Sequence, residues 1–256
     1  MRARWVIKAG SNMVCTGGPI LLRAWMSQIA ELRKRHKIEV IWVTSGAIAS
    51  AVDRTSFGKK GQKTLPEKQA LSAIGQPIVM DLYNLALQAS GLIGAQILLT
   101  YDDLANAARR KNFQNTVEKL LDWGVTPILN ENDAIATEEI RFGDNDSLSA
   151  RVARVMKADR LVILTDVDGL YDSDPRKNPQ ARLIDQLTSI SPKLLKSMTP
   201  KSGSSRGTGG MLSKLCAAKE AARDSIPTWL ARGDVASVLT QIAAGEKVGT
   251  SIGGKR

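Results

Sequence analysis

Short β-branched and apolar runs recur along the chain at Trp5-Val6-Ile7, Ile38 to Val43, Gln96 to Leu99, Val125 to Leu129, Leu161 to Leu164 and Thr228 to Ala231, with helix-period patterns between most of them. Runs this apolar cannot keep a face in water. Alternating with helical crossovers, they specify a largely parallel sheet covered on both faces. The expected class is α/β, a three-layer α/β/α sandwich with a mainly parallel central sheet. Between the first two runs, Leu21-Leu22, Trp25-Met26, Ile29 and Leu32 form one stripe at helical spacing and read as core. Gln69 through Ala89 forms a second long helical pattern, and Gly75 and Pro77 predict a break or kink near Gln76-Pro77. The Ser, Gly and Thr content of the stretch from Ser197 to Gly210 reads as a mobile loop leading into a helix from Met211.

A chain of 256 residues with 43% apolar residues can bury a substantial core. It lacks the long apolar run of a membrane span, and Met1-Arg2-Ala3-Arg4-Trp5 passes into a strand without a signal-peptide core, so a cytoplasmic location is expected. Cys15 and Cys216 are far apart and have no histidine neighbours, which points to small buried hydrophobes rather than a zinc site or disulfide. The net charge of +11 raises nucleic acid as a partner. The basic clusters at Arg33 to Lys37 and at Lys59, Lys60 and Lys63 carry no interleaved aromatic residues, however, so a stacking platform for bases is poorly supported. His36, the only histidine, sits in the first of these runs and reads as a surface residue, which argues against triad and histidine-base mechanisms.

Candidate chemistry lies instead with acids, amides and lysines. Asn130-Glu131-Asn132-Asp133 closes a predicted strand, and Gly143-Asp144-Asn145-Asp146 precedes an apolar helical segment from Leu148 to Val155. Strand ends beside helix starts are where open α/β sheets bind ligands. Small-residue turns follow the same plan at Lys8-Ala9-Gly10-Ser11-Asn12, Thr44-Ser45-Gly46-Ala47 and Gly207-Thr208-Gly209-Gly210. Such turns let backbone amides approach phosphate or carboxylate oxygens, although each alone is as readily an ordinary turn. Neither a P-loop nor a dinucleotide fingerprint is present. Lys8, between Ile7 and Ala9, is costly to bury without an anionic partner, either a bound phosphate or a structural carboxylate.

In order, Ile7 to Ser11, Val43 to Ala49, Lys68-Gln69-Ala70 to Gly75-Gln76, Gln96 to Thr100, Asn130 to Asp133, Gly143 to Asp146, Leu164-Thr165-Asp166 to Gly169-Leu170-Tyr171, and Gly207 to Lys214 closely resemble the glutamate 5-kinases of the amino acid kinase family. The resemblance covers nearly the whole chain. It implies transfer of the γ-phosphoryl group of ATP to the side-chain carboxylate of L-glutamate, the first step of proline synthesis.

That resemblance also assigns residues. Lys8, Asp146 and Lys214 would be catalytic, with the lysines on the phosphates and Asp146 holding them in position. Ser45, Asp133 and Asn145 would bind L-glutamate, Asp133 through the α-ammonium and Asn145 through the carboxylate. ATP would meet Lys8, Gly10, Ser11, Thr165, Asp166, Thr208, Gly209, Gly210, Met211, Leu212, Ser213 and Lys214. Magnesium would ride on ATP without dedicated protein ligands. The whole chain would form one kinase domain, binding glutamate through about residues 1–155 and ATP through about 156–256, without the appended PUA domain of many relatives. A homodimer or homotetramer, feedback inhibition by L-proline and contact with a glutamyl phosphate reductase are further implications. The sequence departs from the family pattern at Ser50-Ala51 and at Asn112 to Thr116. Rival expectations are a related kinase with another acid substrate, a basic nucleic-acid-binding module, and a regulatory relic.

Overall fold

The computed structural model describes residues 2–58, 63–136, 145–198 and 210–253. Gly143, Asp144, Gly207, Thr208, Gly209, Lys59, Lys60 and most of the expected mobile loop lie outside the described residues.

Strand β1 (Ala3–Ala9) occupies the middle of the sheet, pairing in parallel with β2 (Ile38–Val43) on one side and β5 (Arg160–Thr165) on the other. Outward from β2 come β4 (Thr126–Glu131) and β3 (Gly94–Leu99), both parallel. Outward from β5 come β7 (Thr228–Arg232), β8 (Thr250–Ile252) and β6 (Gln186–Leu187), giving the order β3-β4-β2-β1-β5-β7-β8-β6. Among the strand pairings of the described residues, only β7–β8 is antiparallel. The two shortest strands, β6 and β8, have no counterpart among the apolar runs read from the sequence. Two and three residues are too few for periodicity to register.

Side chains alternate across the pleat and build a core on each face. Trp5, Ile7, Ala9, Val40 and Trp42 face helices α1 (Ser11–Arg35), α3 (Leu65–Ala89) and α9 (Val238–Ala243). Val6, Ile41 and Val43 face α5 (Ala107–Asp122), α6 (Asp146–Val155) and α8 (Met211–Ala221). These are the expected three layers. The parity also aims Lys8, two residues after Val6, toward the α6 and α8 layer. The stripe read in α1 is buried through Leu22, Trp25, Met26, Ile29 and Leu32, and the cations Arg33, Lys34 and Arg35 end that helix at its negative dipole.

Two expectations are corrected. Helix α3 runs unbroken through Pro77 and starts at Leu65, where Thr64 and Glu67 form a capping box. Proline removes one N–H from the helix, and burial of Leu71, Val79, Met80, Tyr83 and Leu87 along one face offsets that loss. The non-helical torsions fall instead in α1 at Gly18, φ 52°. Cys216 is exposed and Cys15 half-buried, so neither is the fully buried hydrophobe expected. Many basic side chains are engaged by acids. Arg4 meets Glu39 and Glu118, Arg154 meets Glu220 and Asp224, and Arg232 meets Asp168 and Asp234, which breaks up any uniform basic face. Among the described residues no helix is long and apolar enough to cross a membrane.

Candidate active site

The carboxyl ends of β4, β2, β1 and β5 lie side by side and deliver, in that order, Asn130 and Glu131, Thr44 and Ser45, Lys8, and Thr165 with Asp166. Each of these strands except β5 feeds a turn that the sequence marks with small or polar residues. After β1, Gly10 caps α1 in an extended conformation without a side-chain cap among the described residues. A Cβ on Gly10 would lie 3.8 Å from Lys8 Nζ, so that corner opens onto the ammonium group. After β2, Gly46 adopts φ 99°, and a Cβ there would be strained and would meet Cys15 Sγ at 3.1 Å. Helix α2 (Ala47–Arg54) then starts from it. Gly210 opens α8, and a Cβ there would meet nothing within 4 Å among the described residues.

At the centre, Lys8 Nζ lies 2.5 Å from Asp146 Oδ1, and Lys214 Nζ lies 3.1 Å from Asp146 Oδ2. The Ser213 hydroxyl is 2.9 Å from Asp146 Oδ2 and 2.7 Å from the Gly210 carbonyl. Asp146 is fully buried and the two lysine side chains are 4% and 8% exposed. One carboxylate therefore fixes two ammonium groups, one from the central strand and one from the first turn of α8. Asp146 is thus an anionic partner of the buried Lys8. Its position at the first turn of α6 adds the favourable field of the helix N-terminus.

A second cluster lies on the β2 and β4 side. Asn145 Nδ2 is 2.7 Å from the Thr44 carbonyl, 2.5 Å from Asn130 Oδ1 and 3.1 Å from Ser45 Oγ. Asn130 Nδ2 in turn donates to Gln76 Oε1 at 2.7 Å. Asp133 receives the Ser72 hydroxyl at 3.4 Å. Ser45 and Asn145 are thus brought into contact, while Asp133 joins the same region through α3. Below them, the Tyr83 hydroxyl accepts from Trp42 Nε1 at 2.9 Å and Thr44 Oγ1 at 3.0 Å. Burial pushes the Tyr83 phenol up to about 12. Burial also raises the Cys15 thiol.

On the β5 side, Thr165 Oγ1 donates to Asp166 Oδ1 at 3.2 Å, and the Thr165 carbonyl accepts from Gly233 N at 2.9 Å. Ser11, Gly210, Met211 and Leu212 are at least partly exposed around the helix starts. Sequence reasoning missed Ser72 and Tyr83, and it named Gln76 and Thr44 within motifs without giving either a role of its own. The spacing of Ser72, Gln76 and Tyr83 along one face of α3 was the available signal. Gly75 hides it by letting α3 press directly on α2, where a Cβ would lie 1.7 Å from the Ala47 carbonyl oxygen. Ser50 and Ala51, one of the two departures from the family pattern, are buried on α2 beside this crossing.

The comparisons with known proteins agree with this architecture. Residues 3–232 match the family model described as "Amino acid kinase family". The glutamate 5-kinase of Hydrogenovibrio crunogenus is 43% identical over 96% of this chain and 66% of the relative. Those of Laribacter hongkongensis and Chromobacterium violaceum are 44% and 45% identical over 97% of this chain and 67% of each relative. The chain thus spans about two thirds of the length of these curated relatives. Among solved structures, an isopentenyl phosphate kinase superposes with a TM-score of 0.65 at 17% identity, covering 97% of this chain and 99% of that one. The UMP kinase from Bacillus anthracis gives 0.63 at 18%, covering 97% and 95%. These two likenesses speak for the fold. With a family model spanning most of its length and a parallel sheet whose carboxyl ends gather lysines, amides and glycine turns, the chain belongs to the amino acid kinase family.

Proposed function

We propose that this protein is a glutamate 5-kinase, transferring the γ-phosphoryl group of ATP to the side-chain carboxylate of L-glutamate to give L-glutamyl 5-phosphate and ADP at the first step of proline synthesis. The observation that carries this reading is the placement of Lys8. It stands between the Ser45, Asn130, Asn145 cluster on one side and Thr165, Asp166 on the other, with Lys214 brought beside it by Asp146. The near-full coverage of this chain by glutamate 5-kinases supports the choice of acceptor.

The acceptor needs no general base. A side-chain carboxylate with a pKa of about 4.3 is ionised at neutral pH, and the single histidine is exposed at the end of α1. The obstacle is repulsion between two anions, which fixed cations relieve. Lys8 sits where it can reach the transferring phosphoryl, and Lys214 the phosphates behind it, while Asp146 keeps both ammonium groups in place without taking a proton. Gly10 and Ser11 offer amides at the start of α1, and Gly210 to Ser213 do so at the start of α8. The corner open at Gly10 beside Lys8 fits a phosphate.

Magnesium would enter with ATP and would supply charge neutralisation at the phosphates. Both oxygens of Asp146 face lysines, so the phosphates rather than this carboxylate would supply the binding of the metal. Glutamate lies over Ser45, Asn145 and Asp133, with Asp133 facing the α-ammonium. The donor end of Asn145 is turned to Thr44 and Asn130, so this residue offers its Oδ1 acceptor to the ammonium rather than a donor to the carboxylate. On the family resemblance, a cytoplasmic homodimer or homotetramer, L-proline as a feedback inhibitor and a glutamyl phosphate reductase as the next enzyme belong to the same reading.

The test is ADP release by purified protein with ATP and magnesium, with and without L-glutamate, in the presence of hydroxylamine. Glutamate-dependent ADP with an equal amount of hydroxamate is expected. ADP without hydroxamate, or no turnover, contradicts the proposal.

A further inference from the structure

Gln76 is 7% exposed, and its Nε2 has no hydrogen-bond partner among the described residues. A buried donor left unmatched is expensive, so native proteins provide a partner for it, and a ligand is one such partner. Which end of this amide is unmatched follows from a chain of contacts. The two ends of an amide are distinguished by the partners they face. The Thr44 carbonyl can only accept, so the atom of Asn145 lying 2.7 Å from it is Nδ2. The same Nδ2 is 2.5 Å from Asn130, which must therefore present Oδ1. Asn130 then points Nδ2 at Gln76, whose Oε1 accepts it at 2.7 Å. The polarity set by one backbone carbonyl passes through two asparagines and ends on a glutamine donor.

The position of that donor matters. Ser72, one turn earlier on α3, reaches Asp133 at 3.4 Å, so this face of α3 borders the region between Asp133 and Asn130. We propose that Gln76 Nε2 donates a hydrogen bond to the α-carboxylate of the bound amino acid and so selects substrates that carry it. This inference rests on the glutamate reading of the site. With Asp133 and Asn145 Oδ1 offering acceptors and Gln76 Nε2 a donor, the cluster matches an α-ammonium and an α-carboxylate at once. The side-chain carboxylate is left directed toward Lys8. The amide relay also explains why asparagines, rather than aspartates, occupy positions 130 and 145. Each must donate in one direction and accept in the other.

The experiment compares wild type, Gln76→Leu and Gln76→Glu for turnover of L-glutamate and for competitive inhibition by 4-aminobutanoate, which is glutamate without its α-carboxylate. Both substitutions should raise the glutamate KM by about 10-fold or more, the usual scale for a hydrogen bond to a charged group. The rise should be larger for Gln76→Glu, where two carboxylates would face each other. The ATP KM and the kcat at saturating glutamate should stay near wild type, and inhibition by 4-aminobutanoate should be unchanged. If Gln76→Glu does not fold, Gln76→Leu carries the test alone. An unchanged glutamate KM, an equal loss of 4-aminobutanoate inhibition, or a lowered melting temperature without a KM change overturns the proposal. Absence of glutamate turnover in the wild type would instead overturn the assigned reaction, and that is seen before any variant is made.

Discussion

Lys8 on the central strand and Asp146 at the start of α6 are 138 positions apart in sequence, yet their Nζ and Oδ1 atoms lie 2.5 Å apart with both side chains buried. Lys214 completes the cluster at 3.1 Å from the other carboxylate oxygen. If the lysines act on charge that develops during transfer, Lys8→Ala and Lys214→Ala should each lower kcat by about 10²- to 10³-fold, the scale for removing one preorganised donor. The glutamate KM should change little. Steady-state kinetics check this, and a raised glutamate KM with near-normal kcat would remove the lysines from the transfer step.

Asp146 has a different task. Asp146→Ala would leave two buried ammonium groups without the carboxylate between them, and removal of one partner from a buried pair costs about 3–5 kcal/mol. Asp146→Asn keeps the shape and removes the charge. Urea unfolding should show Asp146→Ala as the less stable of the two, while both lose most of their turnover. A fully active Asp146→Asn would mean that the charge of this residue does not hold the lysines.

Asp133→Ala should mainly raise the glutamate KM, because the acceptor for the α-ammonium is lost while the phosphate side is intact. A rise of about 10-fold or more is expected for a charge-assisted contact. An unchanged KM would take Asp133 out of the substrate site.

The crossing of α2 and α3 depends on Gly75, where a Cβ would lie 1.7 Å from the Ala47 carbonyl oxygen. Gly75→Ala should destabilise the protein by about 1–3 kcal/mol through forced separation of the helices. It should also raise the glutamate KM, because Ser72 and Gln76 move with α3. Urea midpoints and kinetics on the same variant test both effects. Wild-type stability would show that the crossing can relax at no cost.

Tyr83 supplies a pH signature. Its phenol ionises near 10.0 when exposed and is pushed up to about 12 by burial in the fold. The folded form holds this proton more tightly, so its contribution to stability is complete below about pH 10 and is lost as pH rises toward 12. Two units correspond to a loss on the order of 2–3 kcal/mol. Urea midpoints measured from pH 9 upward should therefore fall more steeply for wild type than for Tyr83→Phe. Parallel curves would show that Tyr83 does not report the folded state.

Five of the six longer strands are legible because their apolar residues are buried on both faces of the sheet, the edge strand β3 is legible from its Ile97-Leu98-Leu99 run although Gln96 and Leu98 are exposed, and Lys8 is legible as a charge in one of those runs. Its partner Asp146 is legible only through the family resemblance and not from any local pattern, since only the βα crossover brings the first turn of α6 over the end of β1. The glycine turns announce helix starts, and Gly10, Gly46 and Gly210 each cap one. Pro77 misled in the other direction. A break was expected, and the packing of α3 on α1 and α2 holds the helix through it. Reading Gly75-Gln76-Pro77 as a breaker also concealed Gln76, whose role depends on an amide orientation set at Thr44 on another strand. No local pattern encodes such a relay.

The most direct test of the account follows one oxygen atom. L-Glutamate carrying ¹⁸O in both side-chain carboxylate oxygens is turned over with ATP and magnesium, and the acyl phosphate is trapped with hydroxylamine. If that carboxylate attacks the γ-phosphorus, one labelled oxygen bridges carbon and phosphorus, and attack of hydroxylamine at the carbonyl releases it with the phosphate. The account predicts inorganic phosphate with one ¹⁸O per molecule, in equal amount to the hydroxamate, whereas unlabelled phosphate would contradict it and make water the attacking group.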